Sequence, residues 1–231
     1  MGHNIVAAGG LLAFNVLCTL AFSRVFLVRH EAMYTEQPEL LVRVPRDFMF
    51  EIVPPGTNFG SVTYLVPSNL VLWAAVEVVC CSSELFSVAW RFLEMWLCQN
   101  VMYGLKAFCM ALLPLAVPEG NVDIHDPFAA VFTGRTEEFR MDLFFSGHTA
   151  TICIVFLFLL EARTRISRNP AAGLFEWFFF VFAVHYCFLC ILQVGLSLIS
   201  SRSHYSIDVF VAPFMAYCAY RIGAAVRLVF F

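Results

Sequence analysis

Six apolar stretches dominate the chain, each about as long as a helix must be to cross the hydrocarbon core of a bilayer. They fall at about 5–28, 62–81, 97–117, 143–161, 174–200 and 205–228. Of the 231 residues, 61% are apolar and 13% charged, and the mean hydropathy is +0.79. An ordinary soluble domain is about 45–50% apolar and about 25% charged. A soluble fold of this size could not hide so much apolar surface behind so few charges. Composition therefore excludes a disordered chain, a disulfide scaffold and a nucleic-acid binder, and the net charge of −3 argues against polyanion partners. The expected fold class is all-α: a polytopic membrane protein whose single domain, 1–231, is a six-transmembrane-helix bundle.

The nine cysteines fall within or beside apolar stretches, where they act as small hydrophobes. Cys187 and Cys190 form a CxxC, but inside a Phe/Leu-rich run without the further ligands that a zinc site needs. The first apolar run lacks a basic n-region and is longer than a typical signal h-region, so it reads as a retained span. Between the first two spans, ELLVRVPRDFMFEIV alternates apolar and charged residues and suits the membrane surface, although Pro45 breaks any continuous helix. Glu84, Arg91 and Glu94 are read as a connector before the third span. Arg163, Arg165 and Arg168 crowd the short connector after the fourth. By the preference of short cytoplasmic loops for basic residues, that connector is cytoplasmic. Both termini then face the cytoplasm, and the loops at 29–60, 118–142 and 200–204 are lumenal or extracellular. The GxxxG from Gly56 to Gly60 lies in a loop, so homo-oligomerisation stays open.

Two motifs carry chemistry. Asp142-Leu-Phe-Phe-Ser-Gly-His-Thr149 enters the fourth span and His204-Tyr-Ser-Ile-Asp208-Val enters the sixth. One span in, a connector and one span back separate them, so His148 and His204 face the same membrane side. His204 and Asp208 are four apart and share a helix face. A carboxylate there holds the imidazole in one tautomer and stabilises the imidazolium. One His supported by an Asp, with a second His, makes a usable nucleophile plus general acid/base. Ionisable groups at membrane depth cost about 2.5–3.5 kcal/mol each on insertion scales, so they are rarely idle.

FSGHT at 145–149 and HYSIDV at 204–209 resemble the paired motifs of the sphingomyelin synthase branch of the lipid phosphate phosphatase superfamily. The likeness extends to Leu113-Pro114 closing the third span, Asp142 six residues before His148, and Glu77 in the second span. The wider superfamily resembles itself in K-x6-R-P, P-S-G-H and S-R-x5-H-x3-D. Here Lys106 and Pro114 fit the first motif, but Leu113 stands at its Arg; Ser197 fits the third, but Leu198 stands at its Arg; Phe145 replaces the Pro of the second. A phosphomonoester dianion wants two or more fixed guanidinium groups. A phosphodiester headgroup carries one negative charge, which a site with fewer cations suits better. Arg202 in the turn is a minor candidate for compensation.

The resemblance implies a membrane phosphotransferase without metal or cofactor. His204 would attack the phosphorus of a phosphatidylcholine-like donor and Asp208 would orient it. His148 would protonate the departing diacylglycerol and then deprotonate the hydroxyl of ceramide. Ser146, Gly147, Asp142, Glu77, Tyr205 and Lys106 are the expected substrate-binding residues, with Glu77 or Asp142 and the faces of Tyr205 or Trp73 as choline contacts. Lys106 paired with Glu77 would instead make both structural. Asp123, His125 and Asp126 read as a solvated loop rather than a metal site. Phosphocholine exchange with diacylglycerol, hydrolysis by water, and a non-enzymatic scaffold or lipid sensor are the competing readings. Golgi, plasma membrane and endoplasmic reticulum are all compatible locations.

Overall fold

The computed structural model describes residues 5–36, 47–57, 64–81, 83–112, 145–202 and 204–230. All regular structure among them is helical: α1 Ile5–Glu36, α2 Met49–Ile52, α3 Leu65–Val79, α4 Leu85–Leu112, α5 Gly147–Ile166, α6 Leu174–Ser200 and α7 Ser206–Phe230. Of these seven helices, α1, α6 and α7 are long and apolar enough to cross a membrane. The core is apolar, as in a water-soluble protein, but large apolar side chains are also exposed and several charged ones are buried. Leu174 is 88% exposed and Phe178 71%, whereas Lys106 and Asp208 are 2% and 0% exposed. An apolar exterior with charges buried inside suits a lipid solvent, in which a charge has to turn inward to find partners.

The contacts fix how the helices run. Glu77, near the end of α3, pairs with Arg165, near the end of α5, so these two helices are parallel. The α4 residue Lys106 reaches Gly147 at the start of α5, so α4 runs the other way. Helix α1 lies alongside α4 in the same direction: Asn15 Nδ2 donates to Leu93 O at 3.0 Å, and Asn100 Nδ2 donates to Asn15 Oδ1 at 2.9 Å. Thr19 Oγ1 donates to Asn100 Oδ1 at 2.9 Å and accepts from Trp96 Nε1 at 3.1 Å. The first residues of α5 and α7 therefore share one end of the bundle with the last residues of α4 and α6.

The third apolar segment begins earlier than its hydropathy implies. Helix α4 starts at Leu85 rather than near residue 97, because Arg91 and Glu94 do not interrupt it. Both are matched inside the bundle. Glu94 accepts from Trp90 Nε1, from Arg91 Nη1 at 2.9 Å and from Arg227 Nη1 of α7 at 2.6 Å. Arg91 also pairs with Glu161 of α5 and lies over the Phe158 ring at 4.9 Å. Tyr220 Oη donates to the same Glu161 carboxylate. Helix α1 likewise runs through Arg29 to Glu36, eight residues past the expected span. The cysteines pack as expected: all nine are free thiols, and Cys187 Sγ contacts Ile152 O at 3.8 Å.

Removing one partner from a buried ion network leaves the others uncompensated, at a cost of roughly 3–5 kcal/mol. Glu94→Gln, which leaves Arg227 against a neutral amide and Arg91 with Glu161 as its remaining carboxylate, is expected to lose stability on that order. Thermal unfolding in detergent micelles checks it; an unchanged midpoint would show the network to be idle.

Candidate functional site

The motif at 145–149 builds the start of α5. Ser146 sits in an extended conformation, φ −69° and ψ 114°, and its Oγ accepts from Thr149 N at 3.2 Å and from Thr149 Oγ1 at 2.9 Å. That is a helix N-cap, and it brings Gly147 and His148 into the first turn, where the helix dipole is positive. Lys106 of α4 adds a full charge at this point. A Cβ on Gly147 would lie 3.2 Å from Lys106 Nζ, so a glycine there leaves the ammonium its room. The same Nζ stands 5.6 Å from the centroid of the Phe145 ring. This end of α5 suits an anion.

The motif at 204–209 builds the start of α7. The chain leaves α6 in a tight turn in which Ser201 N donates to Ser197 O at 2.9 Å and His204 N to Leu198 O at 3.4 Å. Arg202 takes the left-handed backbone, φ 58°, that closes it. Asp208 then faces back along the first turn of α7. Its Oδ2 accepts from Tyr205 N at 3.0 Å and lies 3.4 Å from His204 Nδ1. Its backbone O accepts from Ser146 N at 3.1 Å. That last bond ties the starts of α5 and α7 together, and with them the stretches that carry His148 and His204. Oδ1 of Asp208 is buried with no hydrogen-bond partner among the described residues. Lys106 and Asp47 are the charged neighbours that act on the carboxylate.

A strap at residues 47–57 covers this turn. Asp47 accepts from Ser206 N and, at 2.8 Å, from Ser206 Oγ, while also accepting from Met49 N at 2.9 Å. Phe50 stacks on Tyr205, 5.9 Å between centroids and 21° between planes. Arg202 Nη2 donates to Phe50 O at 2.8 Å and to Val53 O at 3.2 Å, with its guanidinium 3.9 Å over the Phe50 ring. Gly56, left-handed at φ 74°, turns its N–H onto Ser200 O at 3.1 Å, and Ser200 Oγ donates to Thr57 O at 2.8 Å.

Of the residues singled out from sequence, the structure brings Ser146, Gly147, His148, Lys106, His204, Tyr205 and Asp208 to one end. Glu77 is not among them. Its carboxylate pairs with Arg165 and accepts from Ser83 Oγ at 3.4 Å, at the opposite end of α5. Pairing of Glu77 with Lys106 is excluded for the same reason. Tyr205 and Trp73 are 1% exposed, so neither presents an open face for a choline. Arg202 is committed to the strap by two backbone carbonyls. Asp142, Leu113-Pro114 and the Asp123–Asp126 cluster lie outside the described residues. Among the described residues no group of three or more His, Cys, Asp or Glu is arranged to hold a metal ion. Sequence reasoning passed over Asp47 and Ser206, because no local pattern marks a contact across 159 positions. Ser146→Ala removes the α5 cap and is expected to cost about 0.5–2 kcal/mol, seen as a lowered unfolding midpoint.

Residues 141–223 match the family model described as PAP2 superfamily C-terminal. The matched stretch contains both motifs, all of α5 and α6, and α7 as far as Gly223. No curated protein matches the chain. The match makes this part of the chain similar to the lipid phosphate phosphatase superfamily, whose members are phosphatases and phosphotransferases.

Proposed function

We propose that this chain is a membrane phosphotransferase that moves a phospho-headgroup, phosphocholine first among the candidates, from a glycerophospholipid to ceramide. The observation that carries the reading is the His204–Asp208 pair, tied through Ser146 to the start of α5. With the Asp208 carboxylate 3.4 Å from Nδ1, the Nε2 atom is the nucleophile in this mechanism. It attacks phosphorus, the bond to the diacylglycerol oxygen breaks, and His148 gives that oxygen a proton. His148 then takes the proton of the ceramide primary hydroxyl. The resulting oxygen attacks the phosphohistidine, the P–N bond breaks and sphingomyelin forms. Lys106 and the α5 N-terminus offset the charge that grows on the phosphoryl oxygens.

In this mechanism α1, α3, α4, α5, α6 and α7 are the six membrane spans. Internal ion pairs let α4 and α5 carry charge at membrane depth, and α3 is short but strongly apolar. The His204 end is assigned to the lumenal or extracellular side by the arginines of the 163–168 connector. Diacylglycerol as acceptor gives phosphatidylcholine exchange, and water gives hydrolysis. The family match favours hydrolysis as well, while Leu198 in place of an arginine favours the singly charged phosphodiester.

The test is mass spectrometry of products after reconstitution in liposomes that hold phosphatidylcholine, phosphatidylethanolamine, phosphatidylinositol, ceramide and diacylglycerol. Sphingomyelin with equimolar diacylglycerol is expected, and His204→Ala should reduce it to background. Free phosphocholine as the sole product would replace transfer by hydrolysis; retained transfer in His204→Ala would sink the nucleophile. Gly147→Ala should shift Lys106 by a few tenths of an ångström. The expected result is a kcat/KM lower by about tenfold, or about 1.4 kcal/mol of transition-state stabilisation, with an unchanged unfolding midpoint.

A further inference from the structure

We propose that Asp47 is a positioning residue for the His204–Asp208 pair, acting through Ser206 from a strap that lies more than 150 positions away in sequence. The role rests on His204 as the reacting group, as argued above. The start of α7 has two carboxylates on its leading N–H groups. Asp208, from within the helix, takes Tyr205 N, and Asp47, from the strap, takes Ser206 N and Ser206 Oγ. A helix start left with open N–H groups frays, and capping a first turn from outside holds it in one geometry. Here the helix start adjoins the reactive residue: His204 stands two residues before Ser206, in the turn that leads into α7, and Asp208 two residues after it.

The strap is itself anchored, so Asp47 is not a loose side chain. Arg202 grips two of its carbonyls, Phe50 covers Tyr205, and Gly56 and Thr57 bond to Ser200. Each anchor lands between residues 200 and 206. The strap therefore clamps both flanks of His204, the turn before it and the helix after it. Asp47 also supplies a second negative charge that acts on Asp208, opposite in sign to Lys106. The Ser206 bonds thus hold the backbone on which the 3.4 Å approach of His204 Nδ1 to Asp208 Oδ2 depends. Displacement of a reacting group by about 1 Å can cost on the order of 100-fold in rate.

The experiment uses the full chain in liposomes, with Asp47→Ala and Asp47→Asn. Asp47→Ala is expected to lower kcat by about 10- to 100-fold while KM for the donor lipid stays within about twofold. Asp47→Asn, which keeps an acceptor for Ser206 N but loses the charge, should recover part of that loss. The 15N spectrum of histidine-labelled protein, with His204 assigned by His204→Gln, should show a changed tautomer balance at His204 in Asp47→Ala. A merely structural strap would lower stability and the amount of active protein but leave the His204 signature of the folded fraction as it was. The proposal is overturned if kcat and the His204 spectrum are unchanged, or if KM rises at constant kcat. Should Asp47→Ala fail to fold, Asp47→Asn is judged by the same two measurements. If wild-type protein transfers no lipid headgroup, the transferase reading fails. The His204 spectrum then still decides the link to Asp47.

Discussion

A carboxylate buried at the end of a helix in a membrane protein cannot be left to solvent, and Asp208 is fully buried. The structure meets that demand with its own backbone and neighbours. Tyr205 N donates to the side chain, and Lys106 acts on it from α4. Asp208's own carbonyl accepts from Ser146 N on another helix. The geometry of the whole end follows from these few contacts. They hold α7 against α5, bring the two motifs together and set His204 beside a fixed carboxylate. The strap at 47–57 completes the arrangement from outside by capping the same first turn.

The opposite end obeys the same constraint with different residues. Glu77, Glu94 and Glu161 are matched there by Arg91, Arg165 and Arg227, with contributions from Trp90 and Tyr220. This network draws together α3, α4, α5 and α7. It explains why helices that carry so much charge remain continuous. It also separates two classes of buried acid. Glu77 is balanced by an arginine and joins helices, whereas Asp208 faces an imidazole and retains an oxygen with no hydrogen bond from the described residues. An acid already satisfied by a guanidinium is a poor choice for a cationic headgroup, which removes Glu77 from the site.

Much of the fold was legible in advance, for a plain reason. Lipid imposes a length and a polarity on a helix, and both can be counted along a chain. The stretch at 174–200 coincides with α6, and 205–228 falls within one or two residues of α7. Hydropathy failed at the start of α4. It scores Arg91 and Glu94 as breaks and cannot know that Arg227 and Glu161, far off in sequence, will pair with them. The site was legible where its logic is local. His204 and Asp208 are four apart, and although α7 starts only at Ser206, leaving His204 in the turn before it, Asp208 reaches back to within 3.4 Å of Nδ1; Ser146 precedes the helix that it caps.

The sequence by itself determined that the chain is an apolar helical protein with two His-containing motifs, one of them bearing its own carboxylate four residues on. Those features depend on spacing, and spacing is fixed by covalent structure. Only the tertiary structure decided which charges serve the site and which merely hold helices. Lys106 goes to Gly147, Glu77 goes to Arg165, and Arg202 is drawn to strap carbonyls rather than to an open phosphate position. Asp47 is brought to the start of α7 by its two bonds from Ser206. A buried charge is placed by whichever partner packing brings within reach, and that is a property of the folded chain.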